Sequence, residues 1–193
     1  MRGNILIGKN KIRKSTKLLA FNYIENSKIG KNCKLYGCKV CNCVIGDNVN
    51  LTNSVLQDCS IGNNCSIGPF SYIREGAVVE DDCRIGDFVE IKKSRIGQGT
   101  KSAHLAYIGD ADVGEGCNLG CGCVFANYNG KVKQKISIGH HSFVGANVNL
   151  VAPLEIGEQC YIGAGTTVRE DLPAFTFMVS EVENKSGKNK WAI

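Results

Sequence analysis

The residue with the clearest chemical potential is His104, which lies in the segment TKSAHLAYIGDADVGEGCNLGCG at residues 100–122. An imidazole, with an unperturbed pKa of about 6.5, can take a proton from a nucleophile near neutral pH. The segment repeats an aliphatic residue followed by glycine, as at Leu119-Gly120, but Ser102 occupies the aliphatic position before His104. This lapse favours a solvent-reaching coil corner with the polar Ser102 on it, from which the imidazole of His104 reaches solvent and a substrate.

Cysteine is the second residue type with chemical potential, since the chain contains 11 of them. The segment CKLYGCKVCNC contributes Cys33, Cys38, Cys41 and Cys43, and its C-x-x-C spacing is one that zinc or an iron–sulfur cluster can use. Cys33, however, occupies a core position of the repeat described below, and no second cysteine pair matches the first. We therefore expect no metal and interpret the thiols as small apolar filler.

These residues are positioned by a repeat. Aliphatic residues recur at every sixth position in two uninterrupted blocks: Ile61, Ile67, Ile73, Val79, Ile85 and Ile91, then Ile138, Val144, Leu150, Ile156, Ile162 and Val168. Glycine often follows the aliphatic residue, which indicates a bend in every repeat. A period of six fits neither a helix nor a hairpin meander, but it fits short parallel strands stacked as a β-helix. The fold is predicted to be an all-β parallel β-helix.

The same period defines the predicted domain organisation. We expect one β-helix domain over 1–193, with a lead-in at 1–28, regular coils at 29–172 and a tail at 173–193. The segment ANYNGKVKQK interrupts the period, so residues 126–136 are predicted to protrude as a loop. The tail either caps the open end of the coil or extends from it.

Composition narrows the function classes. The sequence has 43% hydrophobic residues and 21% charged residues, enough for a core and for solubility, and it lacks a signal peptide or a long apolar stretch. We therefore expect a cytoplasmic protein with no membrane partner. The net charge of +5 is modest and read as spread along the chain, which predicts no nucleic-acid partner. The positive surplus is better explained if a few of the lysines and arginines bind a phosphorylated small molecule.

From about Ile61 onward, the chain resembles the acetyltransferase half of bifunctional N-acetylglucosamine-1-phosphate uridyltransferases. Four segments carry the resemblance: YIREG at 72–76, GDFVEIKKSRIGQGTKSAHLAYIGDADVGEGCNLGCG at 86–122, NYNGKVKQKISIG at 127–139 and VGANVNLVAPLEIG at 144–157. Hexapeptide repeats alone are common to many acyltransferases. The order of Arg, Lys-Lys, His-x-x-Tyr, Asn and Asn-Tyr-x-Gly is much more specific.

The resemblance implies a left-handed coil, a homotrimer with active sites between subunits, acetyl-CoA as donor, and a step of UDP-GlcNAc biosynthesis. It implies direct acetyl transfer to the amine of glucosamine-1-phosphate or a close amino-sugar phosphate. It also implies roles for ten residues: His104 as the base, Arg74, Lys92 and Lys133 on the phosphate, Tyr107 and Asn118 on the sugar, Asn127 and Tyr128 beside the acetyl group, and Cys121 and Ala164 against coenzyme A.

Two departures from the family pattern affect these expectations. The family's nucleotidyl-transferring domain has no counterpart in the chain, so we expect neither uridyl transfer nor magnesium chemistry. The family also has an arginine that contacts coenzyme A after the last coil, and Glu181 takes that position here. A carboxylate there repels a phosphorylated cofactor. Compensation by Lys185, Lys188 or Lys190 stays open.

Other functions remain possible at this stage. The acceptor is either an amino-sugar phosphate or another sugar, including a nucleotide-linked one or one that offers a hydroxyl group. An alternative to both transferases is a non-catalytic β-helix that binds a sugar phosphate or a partner protein.

Overall fold

Parallel strands wind around three faces in the computed structural model, which describes residues 3–181. Within that range every regular element is a β-strand, and every pairing between named strands is parallel. Paired positions in successive coils lie 16 to 18 residues apart, as for Val40 opposite Ile24 and Ile24 opposite Leu6. The structure confirms the predicted parallel β-helix, and its stacked three-sided coils are consistent with the left-handed class.

Each face is a ladder of short strands. The first face contains β1 (Ile5–Ile7), β4 (Tyr23–Glu25), β7 (Lys39–Cys41), β10 (Val55–Gln57), β13 (Tyr72–Arg74), β20 (Val124–Ala126), β23 (Asn149–Val151) and β26 (Thr167–Val168). The second face contains β2 (Lys11–Ile12), β5 (Lys28–Ile29), β8 (Val44–Ile45), β11 (Ser60–Ile61), β14 (Val78–Val79), β16 (Arg95–Ile96), β18 (Ala111–Val113), β21 (Ile136–Ile138) and β24 (Leu154–Ile156). The third face contains β3 (Lys17–Leu18), β6 (Lys34–Tyr36), β9 (Asn50–Thr52), β12 (Ser66–Ile67), β19 (Asn118–Leu119), β22 (Phe143–Val144), β25 (Tyr161–Ile162) and β27 (Phe177–Met178). Two longer strands, β15 (Arg84–Lys92) and β17 (Lys101–Gly109), run from the third face across a corner onto the first.

The core consists of the aliphatic ladders that the six-residue period predicts. Ile24, Ile73 and Ile108 on the first face are fully buried, and Phe125 is the largest buried side chain of the cluster. Removing this apolar surface from water is the main driving force for stacking one coil on the next.

The corners need left-handed backbone, and asparagine supplies it between the second and third faces. Asn32, Asn48 and Asn64 have φ values of 56°, 58° and 57°. Their side chains bond from coil to coil, with the Nδ2 of Asn32 donating to Asn48 Oδ1 at 3.2 Å and the Nδ2 of Asn48 to Asn64 Oδ1 at 3.0 Å. A short polar side chain tolerates this conformation at lower cost than most others.

The buried cysteines act as more than filler. At the inner side of the same corner, Cys65 Sγ lies 3.0 Å from the Glu80 carbonyl oxygen and Cys83 Sγ lies 3.2 Å from that of Gly97. Thr100 occupies the equivalent position one coil later, where its hydroxyl makes the same kind of bond. The thiols therefore also donate weak hydrogen bonds to backbone carbonyl groups, which a purely apolar residue could not do.

The coil extends beyond the predicted boundaries at both ends. Pairing begins with β1 (Ile5–Ile7) against β4 (Tyr23–Glu25), well before residue 29, although the apolar pattern is weak there. Within the expected tail, β27 (Phe177–Met178) pairs with β25 (Tyr161–Ile162). Residues 182–193, including Lys185, Lys188 and Lys190, lie outside the described range.

The predicted loop is confirmed. Residues 128–133 are exposed, and the step between paired positions widens across the insertion to 25 residues, as from Leu119 to Val144. Over the described part of the chain, no helix has the length and apolar character needed to cross a membrane.

The expectation for Ser102 is wrong. Its side chain is fully buried in the aliphatic ladder between Ile85 and Leu119, and its hydroxyl has no hydrogen-bond partner among the described residues. The corner is instead formed by residues 103–106, where Leu105 has a φ of 36° and His104 is exposed. The polar residue that interrupts the aliphatic repeat therefore occupies a core position and not a surface position.

Candidate active site

A cationic cluster lies at the outer end of the first face. Arg74 and Lys92 are direct neighbours on adjacent coils, so their side chains leave the sheet side by side. Glu75 bonds both of them, at 2.7 Å to Arg74 Nη1 and 3.4 Å to Lys92 Nζ, and Glu90 accepts from Arg74 Nη2 at 2.6 Å. The two cations are thus held in place by carboxylates that leave part of each cation exposed.

The loop adds Lys133 to this cluster. An isolated antiparallel bridge joins Tyr128 to Lys133, and the amide of Gln134 donates to the carbonyl oxygen of Asn127 at 2.8 Å. The loop returns in this way to the coil with Lys133 beside Lys92. The ammonium group of Lys92 lowers the pKa of Lys133, because two adjacent like charges disfavour each other. Such a pair favours an anion placed between the two nitrogens.

Tyr107 and Asn127 border the same cluster. The Tyr107 hydroxyl lies 3.5 Å from Asn127 Nδ2, which donates to Asp110 Oδ2 at 2.5 Å. Gly109, which is paired with Lys92, leaves the space that this arrangement needs. A Cβ at Gly109 would lie 2.4 Å from the Tyr107 oxygen and 2.8 Å from Asn127 Nδ2. Two polar side chains therefore lie next to the cationic cluster.

His104 lies at the opposite edge of the first face, with Asp87 directly below it on the previous coil. The distance from His104 Nδ1 to Asp87 Oδ1 is 2.5 Å, and the side chains are 57% and 37% exposed. The bond to His104 lowers the pKa of Asp87 below its ordinary range. An ionised carboxylate only accepts, so Nδ1 of His104 donates to it and Nε2 is left as the acceptor.

Small residues continue the corner above His104. The strand register places Cys121, Ala146 and Ala164 over it on the three following coils. The amide of Asn147 donates to the Cys121 carbonyl oxygen at 2.7 Å, which keeps the coils closely stacked. Cys121 is the exposed member of the 11 cysteines. Cys121, Ala146 and Ala164 together form an open strip beside the imidazole.

Two predicted site residues lie apart from these groups. Asn118 is exposed on the third face, below a stack of Phe143, Tyr161 and Phe177 with ring centroids 4.9 Å and 5.2 Å apart. Tyr128 is exposed on the loop, where its hydroxyl donates to a loop carbonyl oxygen at 2.7 Å. Neither side chain reaches the cationic cluster or His104 through a hydrogen bond within residues 3–181.

Sequence reasoning did not identify Asp87, Glu75 or Gly109 as functional. A signal for Asp87 exists, since it precedes His104 by 17 residues, the length of one coil. In this part of the repeat the aliphatic positions slip by one residue, with a step of five instead of six from Ile91 to Ile96, and this hides the relation.

The cysteines of the segment CKLYGCKVCNC are not grouped as a set of metal ligands. Cys33, Cys38 and Cys43 are buried in the core, and the sulfurs of Cys43 and Cys59 lie 3.5 Å apart. Among residues 3–181 no three His, Cys, Asp or Glu side chains are grouped to hold a metal ion.

Comparisons with known proteins agree with this architecture. Residues 58–93 and 135–170 match the family described as bacterial transferase hexapeptide (six repeats). Similar proteins include the bifunctional protein GlmU of Clostridium kluyveri, 46% identical over 83% of this chain and 36% of that protein. The protein of the same name from Caldicellulosiruptor saccharolyticus is 39% identical over 99% of this chain and 38% of its own length. The chain thus spans less than half the length of these relatives.

Solved structures share the fold at low sequence identity. A UDP-N-acetylglucosamine acyltransferase, LpxA, from Bacteroides fragilis superposes with a TM-score of 0.74 at 22% identity, over 83% of this chain and 70% of that one. The H141N mutant of perosamine N-acetyltransferase from Caulobacter crescentus superposes with a TM-score of 0.54 at 20% identity, over 63% of this chain and 57% of that one. The chain is therefore a hexapeptide-repeat protein homologous to part of the bifunctional GlmU proteins.

Proposed function

We propose that the protein transfers an acetyl group from acetyl-CoA to the amine of glucosamine-1-phosphate or a close amino-sugar phosphate. One observation carries the proposal: Arg74, Lys92 and Lys133, which come from two coils and a loop, converge beside Tyr107 and Asn127. An isolated cation on the surface is usually a solvated charge, whereas three that meet beside polar groups fit a phosphoryl group and its sugar.

In this mechanism His104 acts as the general base. An amine attacks a thioester only as the neutral species, and its proton must leave as the carbon–nitrogen bond forms. Nε2 of His104 accepts that proton while Asp87 holds Nδ1. The thiolate of coenzyme A leaves as the tetrahedral intermediate collapses, and it takes up a proton to become the free thiol.

Acetyl-CoA is proposed to lie along the strip formed by Cys121, Ala146 and Ala164. Small side chains allow an extended thiol ester to approach the backbone, whose amides can bind its oxygen atoms. The perosamine N-acetyltransferase structure that shares this fold was solved with coenzyme A and GDP-perosamine. Glu181 is exposed at the end of the described range, and we expect it to weaken binding of the donor's phosphates.

We further propose that the site is completed in a homotrimer. In one chain, His104 and Lys92 lie at opposite edges of the first face, since Lys92 pairs with Gly109, five residues after His104. Five extended residues span up to roughly 17 Å. A neighbouring subunit packed against this face would place its own cations closer to the imidazole.

The test measures free thiol released from acetyl-CoA in the presence of glucosamine-1-phosphate. His104→Ala should reduce turnover by about 10²–10⁴-fold, the usual contribution of a general base. His141→Ala is a matched control, because its side chain is 58% exposed against 57% for His104. Wild-type activity in His104→Ala would refute the assignment.

Acceptor identity needs a separate panel of glucosamine, glucosamine-1-phosphate and a nucleotide-linked amino sugar. The cationic cluster predicts preference for the monophosphate. If the enzyme prefers the nucleotide-linked amino sugar, then that sugar and not the monophosphate is the acceptor. Calorimetry is a separate test: binding of the sugar phosphate without binding of acetyl-CoA would favour a non-catalytic role.

A further inference from the structure

The first two coils and the start of the third carry a concentration of positive charge that the proposed reaction does not use. Residues 3–40 contain nine Lys and Arg residues and one acidic residue, Glu25, a net charge of +8, although the whole chain has only +5. The expectation that the surplus is spread along the chain is therefore wrong, and the remainder of the chain is net negative.

These cations are exposed and unneutralised. None of the nine forms an ion pair within residues 3–181. Lys11 is paired directly with Lys28 on the second face, and Lys17 with Lys34 on the third face. Neighbouring strands lie about 4.8 Å apart, and like charges directly opposite each other are destabilising. Two such pairs on adjacent faces indicate a surface arranged for an anionic partner.

The cations border a groove. A concavity of about 520 Å³ on the second face is lined by Lys11, Arg13 and Lys28, with Asp47 at its far side. Three cations around one depression concentrate positive potential there and attract a negatively charged group.

The same end of the coil exposes apolar surface and unpaired backbone. Leu6, which begins the buried ladder of the first face, is 48% exposed, and Ile5 and Ile7 beside it are 54% and 44% exposed. Within the described range, β1 pairs only with β4, so its outer edge lacks a strand. An open β-helix end with free strand edges is a template for another strand.

We propose that this end binds an acidic polypeptide segment, which pairs with β1, β2 and β3 in turn as one further coil of short strands. Alternate side chains of this segment would cover Leu6 on the first face, Ile12 on the second and Leu18 on the third. Its acidic side chains would face the lysines outside. A polypeptide is favoured over a nucleic acid or a lipid surface, because a peptide backbone presents alternating N–H and C=O groups that continue the hydrogen-bond ladder of a free strand edge.

The test uses a labelled synthetic peptide of alternating glutamate and valine, with fluorescence anisotropy as the readout. Binding should weaken as salt is added. An all-glutamate peptide of equal length should bind about tenfold more weakly, because it cannot cover the apolar end. Hydrogen exchange should show new protection at the amides of β1–β3 and none at β25–β27.

The variant Lys11→Glu/Lys28→Glu should weaken peptide binding by about tenfold or more. Lys131→Glu/Arg169→Glu makes the same charge change at exposed positions remote from this end and should bind as the wild type does. Leu6→Asp tests the apolar contribution separately. Unchanged binding in the first variant would overturn the proposal, and so would tighter binding of single-stranded DNA or of phosphatidylglycerol vesicles. Thiol release from acetyl-CoA should be the same in Lys11→Glu/Lys28→Glu and in Leu6→Asp as in the wild type, so the two proposals fail separately.

Discussion

At the scale of single residues, the chemistry depends on which nitrogen of His104 faces the substrate. The carboxylate of Asp87 lies at Nδ1, at a distance of 2.5 Å, and this contact determines the tautomer. Among residues 3–181 the side chain of Asp87 bonds only the imidazole, so Asp87 is a positioning residue.

Asp87→Asn tests this role. The amide can donate to Nδ1 and so hold the wrong tautomer, with Nε2 protonated and unable to accept. We expect kcat to fall by roughly 10²-fold or more while the KM values for both substrates stay within about twofold. Asp87→Glu should recover part of kcat. If KM rises and kcat is unchanged in Asp87→Asn, the carboxylate binds substrate instead.

Lys133 provides a prediction about pH. Its ammonium group binds a phosphate only when protonated, and Lys92 lowers its pKa, so the charge is lost at a lower pH than in an ordinary lysine. The KM for the sugar phosphate should therefore rise as the pH increases toward the alkaline range, before ordinary lysines titrate.

Lys133→Arg is the matched variant, because a guanidinium stays protonated in proteins. Its KM should remain flat over the same pH range. An identical pH dependence in wild type and Lys133→Arg would exclude Lys133 as the titrating group. Both proteins should be compared at saturating acetyl-CoA.

At the scale of elements, the two long strands β15 and β17 connect the functional edges of the first face. β15 carries Asp87 at one edge and Lys92 at the other, while β17 carries His104 and Gly109 at the matching positions. The backbones of the two strands approach each other closely at Gly86, where an added Cβ would lie against the Ala103 carbonyl group.

Ser102 on β17 is a weak point of the ladder. Its buried hydroxyl, between Ile85 and Leu119, has no hydrogen-bond partner within residues 3–181. Ser102→Val removes that polar group and fills the aliphatic position, so we expect the free energy of unfolding to rise by about 1 kcal/mol. Chemical denaturation measures this change. A lower denaturation midpoint would show instead that the site needs the small side chain.

At the scale of the whole molecule, the separation of His104 from the cationic cluster predicts shared sites. Trimers assembled from His104→Ala chains and Lys92→Ala chains contain some interfaces with both residues intact. If each site uses His104 from one subunit and Lys92 from the next, about a quarter of the sites recover in an equal mixture.

Thiol release from co-expressed, co-purified variants measures this recovery. Each variant alone should remain inactive, and the double variant mixed with wild type serves as the control for assembly. If activity does not return in mixed trimers, then both residues must act within one chain.

The sequence by itself determined the coil and the protruding loop, because a six-residue period is a local property that each repeat restates. Ser102 shows the limit of that information: its type predicted a corner, but the register places it in the core. The tertiary structure alone decided that Asp87 supports His104 and that Glu75 spans Arg74 and Lys92. These relations join residues one coil apart, and slips of one residue in the repeat change which side chains become neighbours.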